Sequence, residues 1–318
     1  MNRFSDIVCD IKKHAKSEFG KFLSGGESAF LHGKHGLVCE NYEISTKKES
    51  DFFDKPKGKY SLISLPNVLE QHKSVLDYFT KYISDVLTEY LGELSPDDVI
   101  CVVGLGNKYI SADSLGIEVV KNVIVTRNLQ DGVTPVCAFL PSVLGVTGIE
   151  SKDIIDGVLS RVKPTKLILI DSLCASHISR LGTSIQITNS GIVPGSGVGN
   201  ARKKISKNTV NCDVIAIGVP LVVYATTFVY SAFLDENLNE KNLDEIFGKI
   251  NTLLDENCTF DTLLKNKISS LYSKIDNILH NKFQDSVVCH KDVEAVVKTL
   301  GKMIANAINL SVLGTKIQ

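Results

Sequence analysis

The sequence predicts an α/β protein: a doubly wound, mostly parallel sheet with helices on both faces, preceded by an irregular N-terminal arm and followed by a helical C-terminal region. Three observations predict it. Short, almost uniformly apolar segments, "VICVVGL" at 99–105, "VCAFL" at 136–140, "KLILID" at 166–171 and "DVIAIGV" at 213–219, read as strands buried on both faces. Helical patterns alternate with them, as crossover connections between parallel strands require. The chain is also large enough for such a core, with 318 residues of which 43% are hydrophobic and 22% charged.

Residues 1–60 carry mixed charge, glycines and little periodicity, so they are expected to form a loose arm with some strand and a possible pro-segment. Residues 61–318 are expected to form one α/β domain. Between His72 and Leu91, Val75, Leu76, Phe79, Tyr82, Ile83, Val86, Leu87, Tyr90 and Leu91 recur at spacings of three and four, and Gly92 follows as a stop, which predicts an amphipathic helix. After the first apolar strand a helix should begin near Asp113, with Leu115, Val119 and Val120 on one face. Another should span 151–162 with Ser151 as its cap. "SIQIT" at 184–188 adds a strand, and beyond about residue 236 the chain turns polar and helical. Its final stripe, Val293, Val296, Val297, Leu300, Met303, Ile304, Ala307 and Ile308, should pack onto the sheet.

Composition narrows the partners. Lys plus Arg total 35 against 36 acids, so no global field favours nucleic acid or an anionic membrane, and neither is expected as a partner. The eight cysteines, at 9, 39, 101, 137, 174, 212, 258 and 289, are scattered without a C-x-x-C pair, which suits reduced, buried thiols. The polar start and the lack of an apolar run long enough to span a bilayer complete the expectation of a cytoplasmic protein.

Two carboxylates are candidates for chemistry. Asp171 closes the apolar run "KLILID", and a carboxylate at the carboxyl end of a strand lies where open α/β sheets bind ligands. Asp113 follows the "VICVVGL" strand and its glycine turn. If the two strands are neighbours, both acids face one crevice, share a proton and can polarise a carbonyl while activating water. The alternative is that each acid is an unrelated cap for local backbone N–H groups.

A resemblance bears on that choice. "VVGLGNKYISADSLG", "VIVTRN", "GVTGIES", "LILIDSLCA", "TSIQITNSGIVPGSGVGNARKKIS" and "VIAIGVPLVV" together resemble the germination proteases of spore-forming bacteria, continuously from about 99 to 223. Weaker similarity covers "GKYSLISLPNV" and the final helix. The resemblance implies an atypical aspartic endopeptidase that degrades small acid-soluble spore proteins during germination. It further implies kinship in fold with hydrogenase-maturation proteases, synthesis as a zymogen, a homotetramer in the spore cytoplasm, and functional aspartates falling on Asp113 and Asp171. No cofactor and no resident metal are expected. Two positions depart from the pattern: Tyr224 stands where an Asp is usual after "I-G-V-P", and Val193 where "T-G-I-H-P" has a His. No "T-D-L-A" stretch marks a processing site in 1–60, where "SEFG" at 17–20 is the nearest echo. These departures keep in view a diverged, non-catalytic member that binds spore proteins, and the kinship with hydrogenase-maturation proteases implies a further alternative, a metal-dependent maturation-type protease using Asp113, Asp171 and His177.

Other signals weigh less. "GLGN" also opens peptidyl-tRNA hydrolases, which need a nearby histidine that is missing between His72 and His177. "GSGVGN" at 195–200 lies outside the first strand-to-helix turn where a nucleotide fold needs it, so a tight loop near the acids is expected. Ala201–Lys204, "ARKK", reads as a solvated face. Cys174 has no separately placed base. The phenylalanines of the arm, Phe19, Phe22 and Phe30, suggest that part of it lies across the crevice in a resting form.

Overall fold

The computed structural model describes residues 7, 29–53, 55–129, 132–195, 203–226, 228, 283 and 286–314. Among the described residues nine strands form one sheet. They are β1 (Ala29–His32), β2 (Val38–Ile44), β3 (Gly58–Ser64), β4 (Ile100–Gly104), β5 (Val136–Phe139), β6 (Lys166–Ala175), β7 (Ser184–Thr188), β8 (Asp213–Tyr224) and β9 (Val287–Cys289). Their order is β1-β2-β3-β7-β8-β6-β4-β5, with β9 on β8. The helices are α1 (Lys47–Phe53), α2 (Lys73–Leu91), α3 (Leu115–Asn122), α4 (Leu144–Thr147), α5 (Ser151–Val162) and α6 (Val293–Leu313). Val223–Val288 form a second compact unit. Most of it, including the polar helical stretch expected after 236, lies outside the described residues.

The α/β class and the helices on both faces stand. Pleating sorts each central strand. Ile100 and Val102 of β4, Ile168 and Ile170 of β6, and Ile215, Ile217, Val219 and Leu221 of β8 pack under α2, α3 and α6. Their neighbours Cys101, Val103, Leu167, Leu169, Val214 and Ala216 pack on the other face with Ile155 and Leu159 of α5. Burial on both sides explains why these strands read as unbroken apolar runs.

Two expectations need correction. The sheet is mixed rather than mostly parallel: β4 runs parallel to β5 and β6, while β1/β2, β2/β3, β3/β7 and β7/β8 are antiparallel. The expected irregular arm, from residue 29 onward, supplies β1, β2 and the start of β3, Gly58–Tyr60, so the boundary at residue 60 falls inside a strand. Its weak pattern has a physical cause. Glu40 is buried in β2 because Arg180, itself buried, stands 3.9 Å away and the Tyr42 hydroxyl donates to it. Arg180 also donates to Ser64 Oγ at 2.9 Å. Polar residues that look solvent-facing are thus satisfied internally. Of residues 1–28 only Ile7 is described, and it is fully buried. The expected crossing of the crevice falls outside the described residues.

The final stripe packs as expected, with Val296, Val297, Leu300, Met303, Ile304, Ala307 and Ile308 all buried. By length and composition α6 is apolar enough to cross a membrane, against the expectation of no such run, but its apolar face is occupied by the core. It clamps α3 at both ends. Ser111 Oγ donates to Glu294 at 3.1 Å just before α3, and the Ile124 N–H just after it donates to Asn309 Oδ1 at 2.9 Å. In between, a Cβ on Gly301 would stand 2.8 Å from Glu118, so the two helices approach closely. Ile304→Ala, a fully buried truncation, is expected to lower unfolding free energy by about 2–5 kcal/mol in chemical denaturation.

Candidate active site

Gly104 ends β4 opposite Ile170, and the Leu105 N–H extends the ladder by donating to the Ile170 carbonyl at 2.8 Å. The chain then turns on Gly106, whose φ of +117° is glycine territory. A Cβ there would lie 2.0 Å from the Asp113 carbonyl oxygen. The loop returns on itself through Asn107 N–H to the Asp113 carbonyl (2.9 Å), Ile110 N–H to the Asn107 carbonyl (3.1 Å) and Asp113 N–H to the Ile110 carbonyl (2.9 Å). Next, α3 packs backbone on backbone: a Cβ on Gly104 would meet the Gly116 carbonyl oxygen at 2.2 Å, and one on Gly116 would meet that of Leu105 at 2.3 Å. The glycines of "VVGLGN…SLG" therefore permit close packing that seats Asp113.

Asp113 ends a short 3₁₀ turn, Ser111–Asp113. The cap position of α3 belongs to Ser114, so a simple helix cap does not describe Asp113. Its Oδ1 lies 3.2 Å from where a Gly106 Cβ would be. Burial pushes its carboxyl up to about 6, against an opposing pull from the Asn107 backbone N–H.

Asp171 is buried, and its Oδ1 accepts the Ser172 N–H at 2.9 Å. It does not close its strand as expected. β6 runs on to Ala175 because β8 still flanks it where β4 has stopped. Asp171 sits one residue beyond the Gly104–Ile170 pair, and the turn bearing Asp113 lies beside β6. Both acids therefore belong to the carboxyl edge of two adjacent parallel strands.

Sequence reasoning missed Ser172. Its Oγ is buried without a hydrogen-bond partner among the described residues, next to Asp171 in sequence but on the opposite face of β6, and a plain Ser in a strand carries no signal for that. The tight loop expected at 195–200 falls largely outside the described residues, which resume at 203. Its two ends are held together by the Ile192–Ile205 bridge, with N–H to carbonyl distances of 2.8 and 2.9 Å. These two residues pack in the cluster of Leu167 and Leu169, on the face that strand alternation gives Asp171. Lys203 is paired with Asp153 at 2.8 Å, as a solvated face would be.

The expected metal alternative is not assembled. His177 Nδ1 accepts the Ser179 N–H at 3.2 Å and pairs with Ser179 Oγ at 2.7 Å, capping a 3₁₀ turn. Among the described residues no three His, Cys, Asp or Glu groups are arranged to hold a metal ion. Cys174 is buried in β6 with its thiol near the Ala175 carbonyl, 3.7 Å away. Among the described residues no disulfide is present, and Cys289 is exposed rather than buried.

A family model described as germination protease matches residues 31–250. The germination protease of Caldanaerobacter subterraneus subsp. tengcongensis is 35% identical over 316 residues, 96% of this chain and 94% of that protein. The germination protease of Clostridium acetobutylicum is 35% identical over 86% of this chain and 85% of its own length, and that of Bacillus subtilis 32% identical over 87% and 83%. A solved [NiFe] hydrogenase maturation protease, HycI from Thermococcus kodakarensis, aligns at 20% identity with a TM-score of 0.29 over 43% of this chain and 80% of that one.

Proposed function

The chain belongs to the germination protease family and is a peptidase, and on that premise we propose that it is an endopeptidase that cleaves small acid-soluble spore proteins during germination, with water activated by Asp113 and Asp171. The observation that carries the mechanism is the half-buried Asp113 carboxyl, pushed up to about 6 by desolvation, at the same sheet edge as Asp171. Asp113 holds the proton and donates it to the scissile carbonyl oxygen. Asp171, as carboxylate, takes a proton from the water whose oxygen bonds to the carbonyl carbon. Collapse of the tetrahedral intermediate breaks the C–N bond, the proton on Asp171 passes to the leaving amine, and the proton taken up by the carbonyl oxygen returns to Asp113. The same reading includes the spore cytoplasm, a homotetramer and release of an N-terminal pro-segment.

The test is incubation of the purified chain with a small acid-soluble spore protein, with fragments identified by mass spectrometry across pH. Cleavage is expected, with a rate that falls as pH rises past about 6, because Asp113 then loses the proton it must donate. Tyr224, in the place of the usual Asp, motivates the one rival: a member that binds spore protein without cutting it. Binding without fragments, in the full-length and N-terminally trimmed chain alike, would establish that rival instead.

A further inference from the structure

Three thiols gather at the amino-terminal ends of the central strands, the opposite end of the sheet from Asp113 and Asp171. Cys101 is the second residue of β4, Cys137 the second of β5, and Cys212 directly precedes β8. The Asp213 N–H donates to the Thr165 carbonyl at 3.0 Å, which sets the start of β8 beside the start of β6. All three cysteines pack in the cluster of Leu167, Val214 and Ile155. They are not arranged to hold a metal ion, so their chemistry is that of thiols.

Cys101 and Cys137 are opposite one another in the parallel ladder of β4 and β5. Both side chains therefore leave the same face, and neighbouring strands stand about 4.8 Å apart. A disulfide spans Cα atoms about 4.4–6.8 Å apart, so the ladder itself supplies the separation. The start of β5 is pinned in that register. Thr126 Oγ1 accepts the Val136 N–H at 2.9 Å and donates to the Thr134 carbonyl at 2.6 Å, while the N–H groups of Thr126 and Arg127 both donate to the Val136 carbonyl, at 2.9 and 3.0 Å. Among the described residues β5 has only β4 beside it, which leaves this short strand able to move the small distance that a bond requires.

The two thiols are unequal. Cys101 is buried and Cys137 half-buried. The hydrogen bond from the Cys101 thiol holds the Cys137 thiol below its ordinary value, with help from the Arg127 charge and against burial. The same hydrogen bond, together with burial, pushes the Cys101 thiol up. Cys137 is thus both the reachable thiol and the better thiolate.

We propose that Cys137 and Cys101 form a reversible thiol–disulfide site that takes a small-molecule disulfide as its oxidant. The Cys137 thiolate attacks one sulfur of the small disulfide, whose S–S bond breaks to release one small thiolate. The Cys101 thiolate then attacks Cys137 Sγ, the mixed disulfide breaks, and the second small thiolate leaves. The two protons given up by the cysteines end on the two small thiols. The protein dithiol is oxidised by two electrons and the small disulfide is reduced by two. The product ties the edge strand β5 to the strand that leads into the Gly106 turn.

The experiment equilibrates the reduced full-length chain with mixtures of oxidised and reduced glutathione, quenches with acid, alkylates, digests and maps the peptides by mass spectrometry. The expected result is a Cys101–Cys137 linked peptide, lighter by two hydrogens than its two parts and restored by dithiothreitol. Exposed Cys289 reports that the oxidant has acted, by carrying glutathione. Cys101→Ser should trap Cys137 as its mixed disulfide with glutathione, and Cys137→Ser should lose the link and leave Cys101 a thiol. The wild-type map is decisive even where a variant fails to fold. Cys101 and Cys137 both still thiols once Cys289 carries glutathione, a link from Cys101 to Cys212 instead, or a Cys101–Cys137 link that forms only in denaturant each overturns the proposal.

Discussion

Asp113→Asn and Asp171→Asn are each expected to lower kcat for spore-protein cleavage by about 10²–10⁴-fold, the range typical of losing a positioned acid or base. The double variant should be little worse than either single one, because on the proposed mechanism the acid and the base act in the same step as a unit. The stability readout separates this result from misfolding. Burial raises the Asp113 carboxyl from 3.8 to about 6, so between those values the folded state binds more protons than the unfolded one. Wild-type stability therefore falls as pH rises from about 4 to about 6, and the loss is complete above that window. Asn cannot ionise. Asp113→Asn should accordingly match wild type near pH 4 and be more stable than wild type at neutral pH, as melting curves at both pH values would show. A variant that is inactive and also less stable at neutral pH would point to a structural role.

Gly106→Ala is expected to be the most damaging single methyl among the described glycines. It combines a φ of +117° that alanine rarely adopts with a Cβ 2.0 Å from the Asp113 carbonyl oxygen, a contact with backbone that no rotamer change relieves. Strain of about 1–3 kcal/mol adds to overpacking of about 1–3 kcal/mol. Gly92→Ala serves as the control, since Gly92 has φ +67° with nothing within 4 Å of its Cβ. Differential scanning calorimetry should show a much larger fall in Tm for Gly106→Ala than for Gly92→Ala, together with loss of peptidase activity. Similar falls for both would mean that the Asp113 loop yields easily and is not a rigid seat.

How far the sequence discloses this architecture depends on where each residue finds its partners. β4, β6 and β8 are legible because burial on both faces leaves an apolar run that local reading detects, and the helices because their stripes recur along one segment. β2 is not, since Glu40 depends on Arg180, 140 positions away by the residue numbers, and β3 is edged by Asn189, whose side chain accepts the Lys59 N–H across 130 residues. Strand direction is likewise non-local: nothing within "SIQIT" says that it runs antiparallel to β3 and β8. At the site, the succession of strand, glycine turn and acid singles out Asp113 and the carboxylate in "KLILID" singles out Asp171. The continuation of β6 to Ala175 stays hidden because it is supplied by β8. Ser172 is an ordinary residue type whose interest comes only from its surroundings.

The clamp of α6 on α3 has a consequence for synthesis. Ser111 and Glu294 are 183 residues apart, and Ile124 and Asn309 are 185 apart. A ribosome that has already made both aspartates and every strand from β1 to β8 has yet to make the helix that braces the segment bearing Asp113. The growing polypeptide thus carries Asp113 and Asp171 long before α6 exists to hold Ser111 and Ile124, and on the proposed reading the site gains its last support only once α6 has been made.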